Sequence, residues 1–220
     1  MTYSMKPILP LCQSFGILNN NKLFTFGLMF EIFDKYLLEL ANINEEELAA
    51  IHASAKIKHF RKWQSLLHDG EILRSMCFIS SGCFRLFRYD QHGNDHTVRF
   101  GVENWWMNEP ESFNNGMPSR YNIEALATST LIIWNKADLL ELQASIPSFK
   151  HFFNCLNSRA LEAAHDRIFN LISASAEERY VQFQKTYPKV FNSVPLHMVA
   201  SYLGISRETL SRIRRDYSHR

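Results

Sequence analysis

The hydrophobic pattern of this chain changes its period twice, and that change limits the folds open to it. Between residues 56 and 135, short runs of β-branched and aromatic residues are separated by turn-forming residues at Asp69-Gly70, Ser80-Ser81-Gly82 and His92-Gly93-Asn94. On either side, apolar residues recur every three or four positions, as in amphipathic helices. The pattern predicts an α+β fold in which about eight short strands form an N-terminal β-roll, a jelly-roll-like sandwich, and helices follow it.

Composition favours a compact folded chain. The 220 residues are 46% hydrophobic and include only 8 Gly and 7 Pro, which excludes a low-complexity chain. There is no window of about 18 uncharged apolar residues, so no membrane span is predicted. The four scattered cysteines predict no disulfide framework or iron–sulfur cluster, and His92 and His96 lack a third ligand for a metal site. We therefore expect a cytoplasmic protein with no bound metal.

The N-terminal part divides into a stretch without a clear period and a well-patterned segment. Residues 1–28 are predicted to form an accessory N-terminal arm. Apolar residues then recur at helical spacing over residues 30–40, and Asn44 is a candidate N-cap for a second helix that opens with three glutamates. Together with the β-rich segment, these helices predict a β-roll domain over residues 29–147.

One long helix is predicted over residues 148–173. Its apolar stripe is wider than packing on one neighbouring sheet requires, and small alanines occupy its middle. Such a helix suits a homodimer seam, because small residues let two helices approach closely. Burial within the core of the same chain is the alternative. The candidate dimer-interface residues are Phe149, Phe153, Leu156, Ala160, Ala163, Ile168 and Leu171.

The remaining segment, residues 174–220, combines a helix start with excess positive charge. Ser175 and Glu178 have the S-x-x-E spacing of a capping box, which predicts a new helix after a hinge near residues 172–175. Residues 176–220 carry a formal charge of +4, whereas the rest of the chain carries −2. A basic segment beside a mildly acidic body indicates an anionic partner, and nucleic acid is the first candidate.

Residues 195–215 have the spacing of a helix-turn-helix. In the first predicted helix, Ala200 is small at the point where a second helix must cross it. Gly204 supplies the positive φ that a tight turn between helices requires. Ser206 can cap the second helix, and Leu210 faces inward from it.

The second helix of this motif presents a polar, basic outer face. In the major groove, arginine pairs bidentately with guanine and glutamate accepts a hydrogen bond from cytosine N4. Arg214 and Arg215 are expected to reach phosphates. A solvated basic helix end is the alternative, since arginines near a helix C-terminus also favour the helix dipole. The predicted partner is double-stranded DNA, and the predicted DNA-binding residues are Ser206, Arg207, Glu208, Thr209, Ser211, Arg212, Arg214 and Arg215.

With these motifs in place, the chain resembles the Crp/Fnr family of bacterial transcription regulators from about residue 30 to residue 215. The resemblance implies a β-roll sensor domain, a long dimerisation helix and a C-terminal DNA-binding domain. It also implies a homodimer that reads an inverted repeat through Arg207, Glu208 and Arg212, with RNA polymerase as a further partner. The run Pro118-Ser119-Arg120-Tyr121 looks like a branch of the family common in Bacteroidetes.

Two departures from the family pattern concern the cyclic nucleotide. Members that bind it have a Gly-Glu pair and an Arg-Ser/Thr pair, whereas this chain has Asn108-Glu109 and Ser119-Arg120 at those places. A shift of one residue on a strand sends a side chain to the opposite face. These departures argue against binding of cyclic AMP, and no cofactor is predicted. A different small-molecule effector stays open, and Trp106, Glu109 and Arg120 are the candidate effector pocket.

Residues that would indicate an enzyme are missing from the pattern. No Ser-His-Asp order, paired-carboxylate frame or P-loop occurs, so no catalytic residue and no enzymatic activity are predicted. The competing hypothesis to a DNA-binding regulator is a cyclic-nucleotide-type sensor domain that acts through protein contacts. A module of that kind would gain nothing from Arg207, Glu208 and Arg212 on the outer face of a capped helix.

Overall fold

A computed structural model describes residues 22–218 of the chain, with side chains described over residues 30–217. The helices are α1 (Lys22–Leu40), α2 (Glu45–Ala53), α3 (Pro110–Asn115), α4 (Lys136–Ser145), α5 (Pro147–Ser173), α6 (Ala176–Thr186), α7 (Pro188–Ser193), α8 (Leu196–Leu203) and α9 (Arg207–Ser218). The strands are β1 (Lys56–Phe60), β2 (Ser65–Leu67), β3 (Ser75–Ser81), β4 (Cys83–Tyr89), β5 (Asp95–Val102), β6 (Trp106–Met107), β7 (Asn122–Ala125) and β8 (Ser129–Asn135).

The eight strands form two antiparallel four-stranded sheets, in the orders β1-β8-β3-β6 and β2-β7-β4-β5. Their facing sides share one apolar core, in which the rings of Phe60 and Phe84 lie 5.4 Å apart. The predicted α+β fold with an N-terminal β-roll is confirmed, as is the extent of the β segment from Lys56 to Asn135. Among the described helices, none is both long and apolar enough to cross a membrane.

Helices α1 and α2 cover the first sheet. Phe33 of α1 lies 5.0 Å from both Phe78 and Trp134, ring centre to ring centre, and the Trp134 indole N–H donates to the Ile51 carbonyl at 2.9 Å. Asn44 caps α2 through a full capping box, as its spacing predicts. The predicted division between residues 28 and 29 lies inside α1, and residues 1–21 of the predicted arm lie outside the described residues.

The first turns of α5 belong to the core of the same chain. Phe149 and Phe153 are 0% and 2% exposed, and Phe153 packs on Trp106 at 5.0 Å. Their assignment to the dimer interface was therefore wrong, because side chains that fill their own core have no surface left for a partner. The sequence could not separate the two environments, since both select apolar residues at the same spacing.

Helices α6–α9, the C-terminal domain, have their own core and dock on strand β5. Ser175 caps α6 through the predicted capping box, and only Ala174 and Ser175 separate α6 from α5. Phe100 of β5 packs on Phe183 at 5.8 Å and on Tyr202 at 5.3 Å. The two parts of the chain therefore share a continuous aromatic contact.

Candidate nucleic-acid interface

The turn between α8 and α9 has the geometry that the sequence predicts. Gly204 has φ +66°, and its amide donates to the Ser201 carbonyl at 3.1 Å. A Cβ added at Gly204 would lie 3.3 Å from Leu171 Cδ2, so the turn also sits close against α5. Ala200 is buried at the crossing of the two helices. Glycine is thus favoured here both by the backbone angle and by the space available.

Helix α9 begins at a side-chain cap and turns its apolar residues inward. The Ser206 hydroxyl accepts from the Thr209 amide at 3.1 Å, which satisfies one of the free N–H groups of the first turn. Leu210 and Ile213 are 0% and 1% exposed. The helix is therefore fixed at its start and along its inner side, which leaves its outer side in a defined position.

Four of the eight predicted DNA-binding residues lie exposed on that outer side. Arg207, Glu208, Arg212 and Arg215 are exposed, whereas Thr209, Ser211 and Arg214 are half-buried. The Arg214 guanidinium lies 4.9 Å from the centre of the Phe191 ring. Arg214 therefore packs on its own domain, while the other three arginines of the set extend into solvent.

Glu208 sits among the arginines as a charged acceptor. Its pKa is lowered because its carboxylate accepts from its own backbone amide and from the Ser206 hydroxyl, with a further contribution from Arg207. A glutamate that stays ionised can accept hydrogen bonds but cannot donate them. This state suits contact with the exocyclic amino group of cytosine.

Beyond its first turns, α5 carries an exposed apolar face. Leu161, Ile168, Phe169 and Ile172 are 60%, 55%, 67% and 81% exposed. Leu161, Ile168 and Ile172 follow at seven and four residues, so they share one side of the helix. The apolar face is defined by these four residues.

The other predicted dimer residues belong to a different ladder of α5. Phe149, Phe153, Leu156, Ala160 and Ala163 recur at three- and four-residue steps and lead to Arg167. The ladder is buried at its start, Leu156 packs against the same core, and Arg167 bonds to the C-terminal domain. Ala160 and Ala163 are exposed between these ends, and Leu171 lies beside Gly204.

The candidate effector residues are not brought together, so their assignment to one pocket was wrong. Trp106 is buried among Phe33, Phe78 and Phe153. Glu109 is buried too, and its carboxylate accepts from two backbone amides of α3, that of Ser112 at 2.8 Å. Arg120 is exposed and pairs with Glu111 at 2.9 Å. The sequence could not show that Glu109 is needed as a helix cap.

Two surface clefts lie elsewhere on the β-roll. They have volumes of about 530 and 430 Å³ and share Ile72, Leu73 and Arg74 as lining residues. None of the candidate effector residues lines either cleft.

The residues at the cyclic-nucleotide positions do not fit that ligand. Glu109 has both carboxylate oxygens engaged by α3, and the Ser119 hydroxyl is buried and bonded to the backbone of Tyr121. Arg99 of β5 donates to the Asn108 carbonyl at 2.7 Å. No cation among Asn108-Glu109 and Ser119-Arg120 faces inward to meet a cyclic phosphate, because Arg120 points to solvent.

Sequence reasoning missed the groups that hold the C-terminal domain in place. Arg167 and Arg179 donate to backbone carbonyls at the end of α8, and Ser201 accepts from the Thr97 amide of β5. Thr97 and Ser201 are 104 residues apart, and no local pattern relates them.

Comparison with known proteins places this geometry in context. The family model for the cyclic nucleotide-binding domain matches residues 57–145, which span the β-roll from β1 to β8 and all of α4. The fumarate and nitrate reduction regulatory protein of Yersinia pestis is 25% identical over 183 residues, which cover 78% of this chain and 72% of that protein.

Solved structures share the fold over most of the chain. FixK2 from Bradyrhizobium japonicum superposes with a TM-score of 0.64 at 16% identity, over 75% of this chain and 85% of that one. A crp/fnr-family transcriptional regulator from Eubacterium rectale gives 0.63 at 16% identity, over 84% and 88% of the two chains. The catabolite activator protein of Thermus thermophilus gives 0.52 at 21% identity, over 80% and 84%.

Proposed function

We propose that this chain is a transcription regulator of the Crp/Fnr family, which binds double-stranded DNA as a homodimer and reads an inverted repeat. The observation that carries this proposal is the outer side of α9. Arg207, Glu208 and Arg212 are all exposed there, on a helix that Ser206 caps and two apolar residues anchor.

Each of these side chains has a defined task in the major groove. Arg207 and Arg212 can donate two parallel hydrogen bonds to guanine O6 and N7, and Glu208 can accept from cytosine N4. Arg215 lies beyond the base-reading turns and contacts phosphate. Arg214, which packs on Phe191, holds α9 to its domain and adds positive charge near the backbone.

The dimer forms through the apolar face of α5. Leu161, Ile168, Phe169 and Ile172 are too large and too exposed to be stable in water as one contiguous face. A second copy of α5 covers them, which places the two C-terminal domains on the same side of the dimer. Ala160 and Ala163 are exposed as well, but they lie on another side of α5.

The regulator acts in the cytoplasm, where it contacts RNA polymerase at promoters. The β-roll domain does not respond to cyclic AMP, because the residues at the cyclic-nucleotide positions are engaged elsewhere. A small-molecule effector, if the cell supplies one, binds outside the predicted set of Trp106, Glu109 and Arg120.

Selection of bound duplexes from a random pool tests the proposed function. The dimer places its two copies of α9 about one DNA turn apart, roughly 34 Å, so the selected sites should contain two inverted half-sites at that spacing. An Ile168→Glu chain, which is expected to be monomeric, should select no inverted repeat. Recovery of only unrelated sequences by the wild-type protein at physiological salt, where non-specific phosphate binding is weak, would contradict the proposal.

A further inference from the structure

The last three residues of α8, Ser201, Tyr202 and Leu203, are each held by a different part of the chain. We call these three residues the α8 junction. They directly precede the turn to α9, so their position fixes where α9 begins. The groups that hold them are, in order, Thr97 of β5, Arg167 of α5 and Arg179 of α6.

The two arginines occupy the negative end of α8. A helix leaves its last four carbonyls without partners inside the helix. The amides of Gly204 and Ile205 satisfy two of them. Arg167 donates to the Tyr202 carbonyl at 2.8 Å, and Arg179 donates to the Leu203 carbonyl at 3.0 Å. Positive charge is favourable at this end of a helix, so both arginines are well placed to anchor it.

Arg167 makes a second contact with the same residue. Its guanidinium lies 3.7 Å from the centre of the Tyr202 ring, which adds a cation–π interaction to the hydrogen bond. Arg167 is also the neighbour of Ile168, which belongs to the apolar face of α5. Arg167 therefore links the helix that carries the apolar face directly to α8.

Ser201 joins α8 to the β-roll domain. Its hydroxyl accepts from the Thr97 amide at 2.9 Å and donates to the Asp95 carbonyl at 3.4 Å. The Asp95 carboxylate pairs with Arg85, whose side chain is only 6% exposed. Strand β5 is therefore held by two groups. Arg85 of β4 pairs with the Asp95 carboxylate, and Ser201 of α8 bonds to the backbone of Asp95 and Thr97.

We infer that Arg167 and Ser201 are positioning residues that set the orientation of α9 relative to the dimer helix and the β-roll domain. The inference rests on the proposed function and assigns no base contact to either residue. A shift of α5 or of β5 then changes the orientation of α9 through the α8 junction, and with it the fit of α9 to its DNA site. Correct spacing of the two α9 helices requires both contacts, whereas non-specific attraction to phosphates does not.

The experiment uses the Thr97 amide as its reporter. This N–H bonds to Ser201, so its hydrogen exchange measured by NMR follows the docking of α8 on β5. The variants are Arg167→Leu, Ser201→Ala and Arg167→Lys, and the matched control is Arg159→Leu, at an exposed arginine of the same helix. Each full-length variant is checked for dimer mass, and its affinity is measured for the selected inverted repeat and for a random-sequence duplex.

Arg167→Leu is expected to raise the exchange rate of the Thr97 amide about tenfold or more, because the docked state opens more often. Ser201→Ala removes the acceptor of this N–H, so it sets the exchange rate of an amide without its bond to α8. Binding to the inverted repeat should weaken about tenfold, while binding to the random duplex stays within about twofold. Arg167→Lys should lie between wild type and Arg167→Leu, and Arg159→Leu should match wild type.

Two results would overturn the inference. One is an unchanged Thr97 exchange rate in Arg167→Leu, which would show that Arg167 does not hold α8 on β5. The other is faster exchange with undiminished binding to the inverted repeat. If the wild-type protein selects no site at all, the proposed function fails, and the exchange data still report whether Arg167 holds the junction.

Discussion

Cys77 and Cys83 are thiols that the fold keeps from reacting. Burial raises the pKa of each to about 12, above the ordinary value of 9.0. The thiolate is the reactive form, so a raised pKa leaves almost none of it near neutral pH. Cys155 is half-buried on α5, and its sulfur lies 3.5 Å from His151 Nε2.

In a Cys12→Ser background at pH 8, maleimide is expected to modify Cys155 in the folded protein and to spare Cys77 and Cys83. All three should react in denaturant, and mass spectrometry of peptides identifies the labelled sites. The reaction of the two buried thiols should rise only as the pH approaches their raised pKa. Labelling of Cys77 at the rate of Cys155 would contradict this account.

Glu109 and Arg120 decide the expectation for cyclic AMP. The first is committed to the cap of α3, and the second pairs with Glu111 at the surface. Titration calorimetry of the dimer with cyclic AMP should therefore give no binding heat at micromolar concentrations. Saturable binding in that range would show that the loop from Glu109 to Arg120 rearranges around the ligand.

At the scale of elements, the turn between α8 and α9 tolerates only glycine well. An L-residue at φ +66° loses about 1–2 kcal/mol relative to glycine. A Cβ at position 204 would also press on Leu171 at 3.3 Å. Gly116 has the same φ and nothing within 4 Å of its added Cβ, so it is a matched control.

Gly204→Ala should lower the free energy of unfolding by more than Gly116→Ala, which should lose about 1 kcal/mol from the backbone angle alone. Chemical denaturation monitored by circular dichroism measures both. Equal losses in the two variants would mean that the contact with Leu171 adds nothing.

The apolar face of α5 and the ladder through Ala160 and Ala163 predict opposite outcomes when a residue is replaced by glutamate. Ile168→Glu places one unpaired charge from each chain in the proposed dimer interface. Burying a charge without a partner costs about 3–5 kcal/mol of association free energy, so the dimer should weaken at least about 100-fold. Ala163 is exposed on roughly the opposite side of α5 from Ile168, so Ala163→Glu should leave the dimer intact. Sedimentation velocity measures the dimer fraction of both variants. Dissociation by Ala163→Glu alone would show that the dimer interface lies on the side of α5 that carries Ala163.

Some of these features could be predicted from the sequence alone, and others could not. The capping boxes at Asn44 and Ser175 and the glycine at 204 are local signals, because a few neighbouring residues complete each of them. The environment of Phe153 is decided by Trp106, far away in the chain, and an apolar stripe looks the same in a core and in a dimer seam. The bond between Thr97 and Ser201 has no local signature at all.

In the whole molecule, the C-terminal domain packs directly against the β-roll domain. Lys189 pairs with Glu103, and aromatic rings of both domains pack around Phe100. The α8 junction then connects α5 and β5 to the start of α9. We propose that this assembly presents α9 as a rigid helix that reads base pairs, with positive charge around it that contacts the phosphate backbone.

Selection of DNA sites by Arg212→Ala, compared with wild type and Arg215→Ala, tests whether α9 reads base pairs. A good bidentate arginine–guanine contact gives about 1–3 kcal/mol of discrimination, so Arg212→Ala should lose its preference at one base pair in each half-site. Arg215→Ala should keep the selected sequence, bind all duplexes more weakly, and reduce the salt slope by about one unit for each phosphate that it no longer neutralises. A folded, dimeric Arg212→Ala protein that selects the wild-type site at every position would contradict the account.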